Sequence, residues 1–318
     1  MATIPKNQRQ TVAVIGSGAI GSYYGGRLAE AGHDVRFLMR RDYQAVQRGG
    51  LRFTSPDGDF TLAHPTVTLS SEDIGPVDWV ICALKATSIE EARELVRLCV
   101  AADTRILVLM NGLGLEERFA GWFGPERIFG GLAFTCINRG EPGYVHHLAY
   151  GPVTIGHLHN STQELETAIA LWARSKVQVI ASPSLLRARW EKLCWNIPFN
   201  GLAVAAGGIT TDRIVGDPGL RVAARALMAE VIEAGNTDLA AHTENVRIDG
   251  AAVIERMFAL TDTMGVYQPS TMIDFVGGKA MEIEAIFGEP LRRAESLGVD
   301  TPQLALLTAL LRALNAPR

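Results

Sequence analysis

Five apolar or β-branched residues, Thr11 to Ile15, run directly into Gly16-Ser17-Gly18-Ala19-Ile20-Gly21. A helical pattern continues to Ala31, Gly32 stops it, and His33 to Met39 resumes as a strand. Few patterns narrow a fold so far. A strand that is apolar throughout, rather than alternating, is buried on both faces, as in a parallel sheet. Two such strands joined through a helix form a βαβ unit. A G-x-G-x-x-G between the first strand and the helix is the arrangement that cradles a dinucleotide pyrophosphate. Gly16 permits the tight turn, Gly18 lets the pyrophosphate approach the backbone, and Gly21 lets helix and strand pack closely. The free N–H groups of the helix N-terminus then face an anion. Gly16, Ser17, Gly18, Ala19, Ile20 and Gly21 are therefore expected to form a cofactor loop.

The end of the second strand separates the two nicotinamide cofactors. An acid there holds ribose hydroxyls, whereas arginine suits a 2′-phosphate. Here the strand closes on Met39-Arg40-Arg41, and Asp42 comes only after the pair. NADPH is expected, with Arg40 the principal contact and Arg41 a second candidate.

Val77 to Leu84 and Arg105 to Met110 read as further central strands, joined by a helix over Ser88 to Val100. Ligands gather at the carboxyl ends of strands in open α/β sheets. Lys85 and Asn111 follow these two strands, which makes both candidates for the place where cofactor and substrate meet. Ile128 to Gly156 reads as antiparallel additions to the sheet. Its histidines, His146-His147 and His157-Leu158-His159, have no nearby acid or cysteine, so surface or structural roles are expected and no metal site. A helix over Ser161 to Ser175 and a strand over Lys176 to Ile180 close a first domain, 1–183, with Ser182-Pro183-Ser184 as the boundary.

The second domain, 184–318, shows only helical patterns: Leu185 to Ala206, Leu220 to Ala241, Ala251 to Met264, Val276 to Leu297 and Pro302 to Leu314. In the first of these no charge occurs between Lys192 and Asp212. Two amides interrupt the apolar run, Asn196 and Asn200, and with Lys192 they form an i, i+4, i+8 series. On a helix that series stays on one face, drifting by about 40° per step. Buried polar groups must find partners, so the stripe is either paired with neighbouring backbone or aimed at a ligand. Tyr267 to Met272 reads as a loop whose Ser270 or Thr271 could cap the following helix. Glu282 and Glu284, two residues apart, cannot share a helix face, and the pattern alone does not select between them.

The 318 residues allow two domains. At 47% hydrophobic, 20% charged and a net charge of −4, the chain has neither the basic clustering of a nucleic-acid protein nor that of a membrane-surface one. Cys82, Cys99, Cys136 and Cys194 are scattered without a C-x-x-C pair, which favours reduced thiols in the cytoplasm. Met1 to Gln10 is polar, so no signal peptide is expected. Asn196, Pro198, Asn200 and the glycines that follow argue against a membrane span over Leu193 to Thr211.

Taken together, six motifs resemble those of the ketopantoate reductases, also called 2-dehydropantoate 2-reductases. They are G-S-G-A-I-G at Gly16–Gly21, A-L-K-A at Ala83–Ala86, N-G-L-G at Asn111–Gly114, W-E-K-L-x-x-N-x-x-x-N at Trp190–Asn200, P-S-T-M at Pro269–Met272 and G-K-A-M-E-I-E at Gly278–Glu284. The resemblance spans essentially the whole chain. It implies an α/β protein with an N-terminal Rossmann dinucleotide-binding domain followed by an all-α helical-bundle domain. It also implies an NADP-dependent oxidoreductase that reduces 2-dehydropantoate to pantoate, in pantothenate and coenzyme A biosynthesis, with Lys192 as general acid and Glu282 the second catalytic residue. Asn111, Asn196, Asn200 and Ser270 would contact a small 2-oxo acid, and Lys85 and Asn111 would reach the cofactor as well. A homodimer is compatible with this reading.

The chain departs from the family pattern at Lys279-Ala280-Met281, at Gly201 and at Met110. That leaves open another 2-oxo acid, a related hydroxyacid dehydrogenase of the 3-hydroxyacid or opine type, or a non-catalytic NADPH-binding regulator.

Overall fold

A computed structural model describes residues 9–315. The termini of the two expected domains therefore lie outside the described residues, as does the polar N-terminal stretch through Gln8. The chain divides into two compact units. The first comprises Met1–Met110 and Leu115–Leu185, and the second Asn111–Gly114 and Leu186–Arg318.

The first unit is built on one ten-stranded sheet. Its centre is parallel: β1 (Thr11–Ile15) lies between β2 (Asp34–Leu38) and β6 (Trp79–Cys82), and β7 (Arg105–Val108) follows β6. The residues explain the placement. Val12 to Ile15, Val80 to Cys82 and Ile106 to Val108 are sealed from solvent on both faces, because helices cover the sheet. Helix α1 (Ala19–Ala31) lies on the sheet, and Gly32, at φ +106°, ends it. The β1–β6–β7 register pairs Ile15 with Cys82 and Cys82 with Val108. The three strands thus end together, with Gly16 and Lys85 following β1 and β6.

Several short elements escape the sequence pattern: α2 (Tyr43–Gly49), β3 (Leu51–Thr54), β4 (Phe60–Leu62) and β5 (Thr66–Thr68). Helix α3 (Ile89–Arg97) joins β6 to β7, and α4 (Leu115–Phe123) leads toward the antiparallel pair β8 (Ile128–Arg139) and β9 (Tyr144–His157). Helix α5 (Thr162–Trp172) and β10 (Val179–Ala181), which pairs with β9, complete the unit. The histidines have structural partners. His147 bonds Ser55 Oγ and the Tyr150 carbonyl, each at 2.8 Å, and His157 bonds the Glu126 carbonyl at 2.9 Å.

Among its described residues, the second unit has only helices as regular elements. It contains α6 (Leu185–Ala205, whose first residue counts with the first unit), α7 (Thr211–Gly216), α8 (Pro218–Ala241) and α9 (Gly250–Thr263). After them come α10 (Ser270–Val276), α11 (Glu289–Ser296) and α12 (Pro302–Asn315). Trp190, Phe199, Phe258 and Phe287 sit fully buried in its core. None of the described helices is long and apolar enough to cross a membrane.

The expected helix over Val276 to Leu297 does not form. Helix α10 ends at Val276 in a Schellman turn: Lys279 N–H donates to the Asp274 carbonyl at 2.8 Å and Gly278 N–H to the Phe275 carbonyl at 3.1 Å. Gly278 takes φ +61°, the left-handed value that this turn requires. The chain then runs irregularly to Glu282. It re-enters helix through Ile283 and a π turn over Glu284–Gly288, which continues into α11.

Candidate active site

The candidate residues fall into two groups, one in each unit. In the first unit the glycine loop turns tightly after β1. A Cβ on Gly16, which sits at φ +98°, would lie 2.6 Å from both Ala83 C and Leu84 N, so the loop rests on the chain leaving β6. A Cβ on Gly18 would meet nothing within 4 Å. The loop is thus open at the residue expected to approach pyrophosphate. No side chain caps the α1 N-terminus, and no acidic residue lies in its first turn. These unblocked N–H groups suit an anion, so the residues present fit a dinucleotide.

Ser17 Oγ donates to the Leu38 carbonyl at 2.8 Å, which ties the loop to the end of β2. Two residues beyond, Arg40 ion-pairs with Glu91 while 62% of its side chain stays exposed. Arg41, more exposed still, lies 3.8 Å from Asp42, whose other oxygen accepts from Arg139. Lys85 is exposed where the chain leaves β6.

The second unit holds Asn111, Lys192, Asn196, Asn200, Ser270 and Glu282. Lys192, Asn196 and Asn200 lie on successive turns of α6, and only Lys192 is partly exposed. Its ammonium donates to Asn111 Oδ1 at 3.0 Å. The loop carrying Asn111 is anchored independently, because Leu113 N–H donates to the Ala285 carbonyl at 2.9 Å. Ala285 follows Glu282 by three residues, so one loop connects with both the lysine and the segment bearing the glutamate. The approach is close. Gly112 has φ +112°, and a Cβ there would fall 2.5 Å from Ala285 Cβ and 2.6 Å from its carbonyl oxygen.

The two amides of the stripe differ. Asn200 is 1% exposed, and its Oδ1 accepts from Thr271 N–H at 2.9 Å and from Ser270 Oγ at 3.4 Å. It holds the start of α10. The Asn196 amide makes no side-chain hydrogen bond among the described residues. The glutamates differ as sharply. Glu282 is 6% exposed, whereas the side chain of Glu284 is 58% exposed and held by arginines. Hydrogen bonds from Arg312 in the first place, with Arg292 adding to them against the opposing effect of burial, hold the Glu284 carboxyl at about 2. Glu284 is thus part of an ion cluster, and Glu282 is the buried carboxylate. Asp274, one helical turn beyond Ser270, is also buried, and the sequence reading did not single it out.

Two departures from the family pattern are core residues. Met110 packs its sulfur 3.8 Å from Cys82 Sγ in the first unit, and Met281 is buried among the apolar residues of the second. Gly201 makes room for Leu307 and Phe287, since a Cβ there would fall 2.5 Å from Leu307 Cδ2.

The model of the family described as ketopantoate reductase PanE/ApbA matches residues 12–160, and that of its C-terminal part matches 184–315. A 2-dehydropantoate 2-reductase from Nostoc sp. is 36% identical over 315 residues, covering 97% of this chain and 96% of that protein. The crystal structure of a 2-dehydropantoate 2-reductase from Geobacter metallireducens superposes with a TM-score of 0.90 at 42% identity, over 95% of this chain and 99% of the other. That from Methylococcus capsulatus gives 0.85 at 32% identity, over 96% of each chain. Two matched family models, full-length relatives and a shared fold together show that the chain belongs to the ketopantoate reductase family, PanE/ApbA.

Proposed function

We propose that this protein reduces 2-dehydropantoate to pantoate with NADPH. Cofactor binding is assigned to residues 1–183 and substrate binding and catalysis to 184–318. The observation that carries the reading is the Lys192 ammonium, held at 3.0 Å from Asn111 Oδ1 on the helix face it shares with Asn196 and Asn200, in a chain of this family.

Gly16–Gly21, Arg40 and Lys85 would hold NADPH, which would supply the hydride when bound. As the keto carbon accepts it, negative charge grows on the keto oxygen and must be neutralised. Lys192 Nζ gives its proton to that oxygen. Asn111 orients the ammonium, so little reorganisation is needed at the moment of transfer. Glu282, a buried carboxylate of the same unit, is the second catalytic residue. Asn196, Asn200 Nδ2 and Ser270 hold the carboxylate and hydroxyl of the 2-oxo acid without adding charge. The free thiols Cys82, Cys99, Cys136 and Cys194 support a cytoplasmic location.

Lys192→Ala tests the assignment. Losing a general acid costs about 10²–10⁴-fold, so kcat should fall by that range. NADPH affinity should stay near wild type, because the glycine loop, Arg40 and Lys85 belong to the other unit. Wild-type turnover in the variant would remove the proposed acid.

A further inference from the structure

Two catalytic residues are read from α6 and from the irregular segment before α11, and that segment is tied to the last helix on both sides of Glu282. It follows two glycines, Gly277 and Gly278, and it makes neither helix nor strand between Lys279 and Glu282. Two of its anchors come from the last helix of the chain. Met281 N–H donates to Asn315 Oδ1 at 3.0 Å, one residue before Glu282. Two residues after Glu282, the Glu284 carboxylate is gripped by Arg312 through both oxygens: Nε to Oε1 at 2.8 Å and Nη2 to Oε2 at 2.9 Å. Arg292 adds a third bond to Oε2 at 2.8 Å. Gly288 leaves room for the grip, because a Cβ there would run into the Glu284 carboxylate.

We infer that α12 is a clamp, with Arg312 and Asn315 acting as positioning residues that set the direction of Glu282. The inference rests on the reading of Glu282 as a site residue.

The π turn over Glu284–Gly288 gives the clamp its lever. A π turn carries one residue more than an α turn, and one residue of helix is about 100° of rotation. Residues before it are therefore turned by about that angle from where a continuous α-helix would put them. With the extra residue in place, Met281 and Ile283 enter the core, Glu282 is buried and Glu284 faces out to the arginines. π turns are rare because their hydrogen bonding is poorer than that of an α-helix, and they cluster at functional sites. The bidentate pair with Arg312 opposes relaxation to an α turn by anchoring the first π residue. Lysine cannot reproduce that planar two-point contact.

The test uses the 318-residue protein and five single variants: Arg312→Ala, Arg312→Lys, Asn315→Ala, Glu284→Gln and Gly288→Ala. The last keeps every charge and only displaces the Glu284 carboxylate. Hydrogen exchange over residues 279–288 should quicken in Arg312→Ala, Glu284→Gln and Gly288→Ala, with α6 and α8 unchanged. A misplacement of about 1 Å costs on the order of 10²-fold. The kcat for 2-dehydropantoate should therefore fall about 10- to 100-fold in these three, with KM for NADPH unmoved. Arg312→Lys should lie between, and Asn315→Ala should act in the same direction. Exchange over 279–288 equal to wild type would overturn the clamp, and so would kcat equal to wild type despite faster exchange. Absence of turnover in the wild-type protein would instead refute the proposed reaction, and the exchange measurement would still decide the clamp.

Discussion

Gly112→Ala is the perturbation whose consequence the structure lets one work out most directly. Gly112 has φ +112°, so any L-residue there is strained by about 1–3 kcal/mol. A Cβ at this position would also stand 2.5 Å from Ala285 Cβ and 2.7 Å from Ala285 C. Carbon atoms in contact sit at about 3.5–4.0 Å, so the loop and the π turn must separate by about 1 Å. Both obstructing atoms are close to the backbone, so no side chain can swing aside. The displaced loop carries Asn111 away from Lys192, and a shift of that size costs roughly 10²-fold in kcat.

Gly114→Ala is the control. Gly114 is also left-handed, at φ +79°, but its Cβ would meet only the Glu289 side chain, 3.1 Å away, which can move. Both variants should lose thermal stability through strain, as read from unfolding by circular dichroism. Only Gly112→Ala should lose turnover by about 100-fold, as followed by NADPH absorbance. If Gly112→Ala were no slower than Gly114→Ala, the close approach to Ala285 would not be what places Asn111.

Arg40→Ala should weaken NADPH binding far more than NADH binding in fluorescence titrations, because a guanidinium suits the 2′-phosphate; equal losses would count against phosphate recognition. The two amides of α6 should separate cleanly. Asn200→Ala strands the buried Thr271 N–H and should destabilise the second unit by about 1–3 kcal/mol in denaturant unfolding. Asn196→Ala breaks no hydrogen bond among the described residues and should instead raise KM for the 2-oxo acid at near-native stability; the reverse pattern would exchange their roles.

Where local chemistry decided the outcome, the residues announced it. Gly16–Gly21 needed only a strand before and a helix after to fold as the tight turn into α1, and the uniform apolarity of Val12–Ile15 and Ile106–Val108 declared strands covered on both faces. The spacing of Lys192, Asn196 and Asn200 put them on one face of α6, because helical geometry is a property of the nearby chain alone. Other features depended on partners remote in sequence. β3, β4 and β5 are three or four residues long, too short to show a period, and they exist because β9, β3 and β2 pair with them. The helix read over Val276 to Leu297 is interrupted because Gly278 ends α10 and Asn315, 34 residues beyond Met281, takes up its N–H. Whether Glu282 or Glu284 was the buried carboxylate was likewise undetermined by spacing. Arg292 and Arg312 draw Glu284 outward, and a π turn, invisible to any periodicity, turns Glu282 inward. Sequence determined which chemistry each segment could carry; tertiary contacts decided which of two equivalent side chains would carry it, since burial and ion pairing are settled only when distant segments meet.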